Sequence, residues 1–252
     1  MTILLLGDIT GRSRVAVRMQ TCVLEARGHE VLALPTALIS NTLSLGRHEA
    51  LDTTDYLLRT LETWEALGVG YDMLAVGYVT GLEQAKALVP VMRRARARGA
   101  LVLADPILGD NGQRYASVSA GQEAGMRLVC READVITPNM TEACLLAGLE
   151  PGADAQAAIA ALREGGARSV VITSAKDESG KAAVVGYDAQ AARGFSIAYE
   201  PVAGGRGGTG DLFISVMIDA LSRGEALSQA AREASGEVRA QLLAGGGILP
   251  VI

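Results

Sequence analysis

The stretch of this chain best suited to chemistry is Gly204-Gly205-Arg206-Gly207-Gly208-Thr209-Gly210-Asp211. An apolar helical pattern follows it, with Leu212, Phe213, Val216, Met217, Ala220 and Leu221 on one face. Glycines let several backbone N–H groups converge, and the first turn of a helix adds unpaired donors and the positive end of its dipole. A phosphate group suits such a place. Asp211 stands where the helix begins, so the same dipole favours its ionised form, and a carboxylate there could take a proton from a substrate hydroxyl. One turn would hold an anion hole and a base. The competing reading is a plain glycine loop, with Asp211 or Thr209 capping the helix.

Two other phosphate motifs are excluded. Gly205 to Gly210 matches G-x-G-x-x-G, but that fingerprint needs a following strand with an acidic ribose ligand about 20 residues on, and only helical pattern follows Asp211. The pattern G-x-x-x-x-G-K-[ST] is absent from the sequence.

Further polar groups collect where strands are predicted to end. Thr2–Gly7 reads as a strand covered on both faces, followed by a loop from Asp8 to Ser13, a helix to Ala26 and a second strand, Glu30–Pro35. Thr36 to Arg47 then reads as a polar loop, a candidate substrate wall or simple turn chemistry. A helix from Thr53/Thr54 to Leu67 precedes strand Asp72–Gly77, which delivers Tyr78. Helix Glu83–Arg98 ends in a solvated basic cluster, Arg93, Arg94, Arg96 and Arg98. Strand Ala100–Ala104 hands over to Asp105-Pro106 and the loop Gly109-Asp110-Asn111-Gly112. Helix 119–131 and strand Ala133–Thr137 lead to Pro138-Asn139-Met140-Thr141-Glu142. Helices near 140–148 and 154–165 precede strand Ser169–Ser174. Segments 181–187 and 194–200 can pair antiparallel, and helices from Asp211 and near 225–243 close the chain. This order predicts an α/β fold of one domain over residues 1–252, a mainly parallel sheet with helices on both faces and antiparallel edge strands.

Composition narrows the function. With 49% hydrophobic and 20% charged residues the chain is globular, and 4% aromatics with a net charge of −5 argue against a nucleic-acid partner. Cys22, Cys130 and Cys144 lack metal-ligand spacing and read as buried free thiols in a reducing compartment. His29 and His48 stand apart from any Cys and from each other, which argues against a zinc site or a Ser-His-Asp triad. The apolar start is interrupted at Asp8 and has no basic region before it, so it reads as a strand and not a signal peptide. No stretch has the length of a membrane span, and the expectation is a cytoplasmic protein.

In chain order, Leu34-Pro35-Thr36 with Ser40-Asn41, Gly77-Tyr78, Asp105-Pro106-Ile107-Leu108-Gly109-Asp110-Asn111-Gly112, Thr137-Pro138-Asn139-Met140-Thr141-Glu142-Ala143, Val171-Ile172-Thr173-Ser174 and Gly208-Thr209-Gly210-Asp211 resemble the pyridoxal kinases of the ribokinase-like superfamily. The resemblance runs from about residue 4 to residue 220. It implies a three-layer α/β/α sandwich that uses ATP and Mg²⁺, with K⁺ as a further candidate, to phosphorylate the hydroxymethyl group of a B6 vitamer as a homodimer. Carried over residue by residue, it makes Asp211 the catalytic base and Gly208, Thr209 and Gly210 the anion hole. Asp105, Asn139 and Ser174 join Gly208 and Thr209 on the ATP side, and Asp105 and Glu142 arrange the metal. Thr36, Ser40 and Tyr78 line the substrate pocket.

Taken singly, Asp105 also fits a turn before Pro106, and Asn139, Thr141 and Glu142 also fit a helix cap. The sequence departs from the resembled pattern in the first loop, Asp8-Ile9-Thr10-Gly11-Arg12-Ser13-Arg14, where a Ser-His or Ser-Gly segment is usual, and at Thr42, where a His is usual. Asp8, Thr10 or Ser13 are the candidates to replace the missing pyridine contacts. Arg206, in the run before Gly208, could offset phosphate charge. Two readings compete with a B6 kinase: a kinase of hydroxymethylpyrimidine or another small molecule, and a vitamer- or nucleotide-binding protein without turnover.

Overall fold

A computed structural model describes residues 1–43, 47–202 and 207–245. Gly204, Gly205 and Arg206 therefore lie outside the described residues, as do Ser44 and the glycines at 246 and 247.

Parallel strands form the middle of one nine-stranded sheet. They are β1 (Thr2–Arg12), β2 (Glu30–Asn41), β4 (Met73–Val76), β5 (Leu101–Ala104), β8 (Val135–Ile136) and β9 (Ser169–Lys176). Antiparallel strands close both edges: β3 (Ala50–Asp52) beside β2, and β10 (Ala182–Asp188) with β11 (Arg193–Ala198) beside β9. The sheet order is β11-β10-β9-β8-β5-β4-β1-β2-β3. The predicted fold class is therefore present, including its antiparallel edges.

Two helical layers cover the sheet. On one face lie α2 (Thr54–Ala66), α3 (Leu82–Ala97), α4 (Ala120–Glu132), α5 (Met140–Ala147) and α6 (Ala155–Glu164). On the other lie α1 (Val17–Ala26), α7 (Thr209–Ser222) and α8 (Leu227–Leu243). All four residues of β4 are buried, as a strand covered on both faces requires. In α7 every residue from Leu212 to Ala220 is buried, so this helix is packed all round rather than along one stripe. That packing fixes the helix whose first turn carries Asp211.

Three expectations change. Asp8–Arg12 and Thr36–Asn41 are not loops but the second halves of β1 and β2, paired from Asp8↔Ala37 to Arg12↔Asn41. In β2 the buried residues Ala37 and Ile39 alternate with exposed Leu38 and Ser40, a half-buried strand whose polar positions resemble a loop. The loop Gly109–Gly112 is a hairpin of β6 (Gly109–Asp110) and β7 (Gln113–Arg114), turned by Asn111 and Gly112 at φ 51° and 77°. Cys22 is exposed, whereas Cys130 and Cys144 are buried, and all three are free thiols.

The sheet opens at one place. Pairing of β1 with β4 stops at Leu6↔Val76, with Gly77 N–H donating to Leu6 O, whereas pairing of β1 with β2 continues to Arg12↔Asn41. Strand order reverses there, since β1 leads to β2 on one side and to β4 on the other. A crevice beyond strand ends at such a switch point is where open α/β sheets bind ligands. Asp8 on β1 and Tyr78 just beyond β4 stand at its mouth.

Candidate active site

Helix α7 begins at Thr209 after Gly208, which takes φ 96° and has no side-chain cap. The backbone angle favours glycine there, while a Cβ would lie 2.6 Å from Met19 Cε, the movable end of a flexible side chain on α1. The first intrahelical bond runs from Leu212 N–H to Gly208 O. The N–H groups of Thr209, Gly210 and Asp211 thus belong to the turn that α-helical bonding leaves unpaired, the anion-binding end of the helix.

The carboxylate of Asp211 does not cap its own helix; the first loop and α1 hold it instead. Its Oδ2 accepts from Ala16 N–H at 2.8 Å and its Oδ1 from Gln20 Nε2 at 3.3 Å. Ala16 takes φ 52°, a region non-glycine residues seldom occupy, and Ser13 takes φ 93°. The Arg18 guanidinium fastens this turn by donating to Thr10 O at 2.9 Å and Ser13 O at 3.2 Å. Burial raises the Asp211 pKa to about 6, against the two hydrogen bonds, which favour the charged form.

Two more carboxyl groups converge on Asp211. Burial and the neighbouring Asp211 charge raise Asp8 to about 7. Asp105 also rises to about 7 through burial and the same charge, although Thr137 Oγ1 donates to it at 2.5 Å. The carboxyls on β1 and at the end of β5 thus each feel the charge of Asp211 at the start of α7.

The segment from Asp105 is clamped to α5. Asn139 caps that helix: its Oδ1 accepts from Glu142 N–H at 3.0 Å, and Glu142 Oε2 accepts from Asn139 N–H at 2.9 Å. Glu142 Oε1 accepts from Leu108 N–H at 3.1 Å, and Asn139 Nδ2 donates to Gly109 O at 2.8 Å. Thr141 Oγ1 accepts from Gly112 N–H at 2.8 Å. Glu142, expected to arrange the metal, is buried with both oxygens accepting from backbone amides, which ties the Asp105–Gly112 segment to α5. Among the described residues no group of three or more His, Cys, Asp or Glu is arranged to hold a metal. Asp105, at the end of β5, is a carboxylate oxygen donor of the kind a hard divalent cation takes.

The expected substrate wall is placed less uniformly. Tyr78 is buried, and its hydroxyl accepts from Gln122 Nε2 at 2.7 Å. Thr36 is fully buried behind it, donating to Tyr78 O at 2.6 Å, while Gln84 Nε2 donates to Thr36 O at 2.9 Å. Ser40 Oγ ties the end of β2 by donating to Asn41 Oδ1 and accepting from Glu49 N–H. Thr10 is buried with its hydroxyl turned to Ser13 O at 3.2 Å. Ser174 is exposed at φ 55°, and its side chain bonds to Tyr199.

Gln20 and Ala16 are the site residues that sequence reasoning missed. The one available signal was their spacing: four residues apart, they fall on one side of the helix start. Gln20→Ala removes a donor that favours the charged form of Asp211. It is expected to move the acid limb of the kcat/KM profile to higher pH by about 0.5–1, with little change at pH 8. A pH series of initial rates checks this, and an unmoved limb would show that Gln20 only packs.

The mixed sheet between two helical layers and a carboxylate in the first turn of a glycine-led helix define a ribokinase-like phosphotransferase. The family profile described as phosphomethylpyrimidine kinase matches residues 24–248. Over 232 residues the chain is 32% identical to the pyridoxine/pyridoxal/pyridoxamine kinase of Bordetella avium, covering 88% of this chain and 77% of that enzyme. A Bacteroides thetaiotaomicron protein described as a candidate phosphomethylpyrimidine kinase, solved in a form with pyridoxal, superposes with TM-score 0.86. It is 31% identical, and the match covers 98% of this chain and 88% of that one. The pyridoxal kinase of Lactobacillus plantarum superposes with TM-score 0.84 at 26% identity, covering 97% and 88%. The chain belongs to the phosphomethylpyrimidine kinase family.

Proposed function

We propose that this chain is an ATP-dependent kinase of the hydroxymethyl group of pyridoxal, pyridoxine or pyridoxamine. The observation that carries the reading is the Asp211 carboxylate, fixed by Ala16 N–H and Gln20 at the open N-terminus of α7, beside the switch-point crevice. Its relatives in Bordetella and Lactobacillus bear the names of B6 kinases, and the Bacteroides structure contains pyridoxal.

In this reading the substrate hydroxymethyl group enters the crevice between Asp8, Tyr78 and Asp211. Asp211 accepts the hydroxyl proton as the substrate oxygen bonds to the γ-phosphorus and the bond to the β-phosphate oxygen breaks, releasing ADP. A base with a pKa of about 6 is ionised at neutral pH yet basic enough to share a proton in the transition state. The amides of Gly208, Thr209 and Gly210 face the charge on the transferred group, which is the main contribution a protein makes to this reaction. Asn139 shapes the ATP side through the Gly109 hairpin, and Ser174 borders it. Mg²⁺ accompanying ATP would be held through Asp105 and would neutralise phosphate charge. The 252 residues act as one kinase domain, cytoplasmic and homodimeric as the resemblance implies. No helix among the described residues is long and apolar enough to cross a membrane.

The description of the family profile favours a second reading, a kinase of hydroxymethylpyrimidine. The test is ADP release from ATP and Mg²⁺ with each B6 vitamer and with hydroxymethylpyrimidine, Asp211→Asn serving as blank. Vitamer-dependent release that the variant lacks supports the first reading. Release with the pyrimidine alone selects the second, and ligand binding without release selects a binding protein.

A further inference from the structure

A closed ring of hydrogen bonds stands beside the crevice, outside the machinery of phosphoryl transfer. Gln84 Nε2, on α3, donates to Thr54 Oγ1 at 2.9 Å. The Thr54 hydroxyl, at the start of α2, in turn donates to Asp52 Oδ1 on β3. Thr80 Oγ1, in the loop after β4, donates to Asp52 Oδ2, and Thr80 N–H closes the ring by donating to Gln84 Oε1 at 2.9 Å. Four residues from β3, α2, α3 and a loop thus share one circuit, and its single charge, on Asp52, receives both hydroxyl protons. Burial pushes the Asp52 carboxyl up, but the hydrogen bonds from Thr54 and Thr80 outweigh it and hold the group below its ordinary value. The ring therefore keeps its charged acceptor at neutral pH.

This circuit joins the two halves of the crevice wall. β3 is an edge strand of three exposed residues, and its register puts Asp52 opposite Ala37 on β2. Ala37, Ile39 and Tyr78 form a small apolar cluster apart from the two main cores, β2 supplying one half and the loop after β4 the other. Thr36 Oγ1, bound to Tyr78 O, ties the halves on the buried side, and Asp52 with Thr80 ties them on the exposed side. Asp52 also has a local duty, since Oδ1 accepts from Thr54 N–H at 2.7 Å in an Asx turn that starts α2. That turn accounts for Oδ1 alone; Oδ2 goes to Thr80, 28 positions away in sequence.

We infer that Asp52 is a positioning residue for the acceptor: by latching β2 and β3 to the Tyr78 loop it fixes the width of the crevice, and with it the affinity for the acceptor alcohol. The inference rests on the reading of this crevice as the acceptor site. The bonds of the ring end on α2, α3, β3 or the Tyr78 loop, and none of them runs to α1 or α7, which hold Asp211. Loss of the latch is therefore expected to act on acceptor binding and to spare the base and the anion hole.

Asp52→Ala and Thr80→Val each break the latch, the second by removing one hydroxyl while the Asx turn stays intact. Initial rates with pyridoxal, pyridoxine, pyridoxamine and hydroxymethylpyrimidine are expected to show the acceptor KM raised about 3- to 10-fold in each variant, with kcat and the KM for ATP within about twofold. The double variant should match the larger single effect, because both changes remove the same bond. Amide hydrogen exchange, which needs no turnover, should be faster over Ala37–Asn41 and Tyr78–Thr80 in both single variants. An acceptor KM within twofold of wild type in either variant overturns the proposal, since Asp52 then serves only the start of α2. Effects that multiply in the double variant overturn it too, as does a KM for ATP that rises in parallel. Wild-type protein that phosphorylates none of the four compounds removes the kinase reading instead. Exchange then decides the latch: faster exchange in both variants supports it, and unchanged protection overturns it.

Discussion

Asp211→Asn is expected to lower kcat about 10²- to 10⁴-fold while leaving ADP affinity within about twofold. The size follows from what the substitution keeps. Asn still offers an oxygen to Ala16 N–H, and the amides of Thr209 and Gly210 remain where the helix start puts them. Electrostatic stabilisation of the phosphoryl group therefore survives, and only the proton acceptor is lost. Steady-state ADP release and calorimetric ADP titration make the comparison. Turnover within threefold of wild type would remove Asp211 from the role of base, and a parallel loss of ADP affinity would mean that the helix start itself had moved.

The second large effect concerns stability. An Asp8 or Asp105 raised from 3.8 to about 7 binds more protons in the folded protein than in the unfolded chain throughout that interval. Folding is then favoured below the unfolded value, and the advantage disappears as pH rises towards the folded value. Each group therefore makes the protein less stable at pH 8 than at pH 4, by at most about 4 kcal/mol if it titrated alone. Asp105→Asn removes one such charge and keeps an acceptor for Thr137 Oγ1. Its Tm should rise at pH 8, roughly 2–4 °C for each kcal/mol recovered in a chain of this size, and stay level at pH 4. Melting curves across that range test this. A Tm increase at pH 4 as large as at pH 8 would mean that charge is not the cause.

That instability marks where local and global demands conflict, which is where functional sites are expected. Much of the surroundings was readable from the chain. The Asn139-x-x-Glu142 spacing announced a helix start, and α5 begins there with both halves of the capping box formed. The βα alternation and the two late strands announced the parallel middle of the sheet and its antiparallel edge. What escaped notice depended on distant partners. Residues Asp8–Arg12 look like a loop because their strand character comes from pairing with Ala37–Asn41, itself disguised by exposed Ser40 and preceding Pro35. β3 is three exposed residues with no pattern of its own. Gln20 is an ordinary helical glutamine until the fold brings Asp211, 191 positions away, against it. Glu142 was legible as part of the helix cap, but not its second oxygen, which reaches back to the Leu108 amide 34 positions earlier.

The bond from Ala16 to Asp211 has a bearing on descent. Its donor is a main-chain amide, which every residue except proline possesses, so the anchor of Asp211 asks for no particular side-chain chemistry at position 16, only for a residue small enough to be buried there at φ 52°. The side chains from Asp8 to Arg14, on the end of β1 and the turn after it, take no part in that bond. A lineage built this way can exchange the acceptor molecule it recognises while its reaction stays put. New specificities can then arise by altering one short segment, with no interval in which the enzyme is idle.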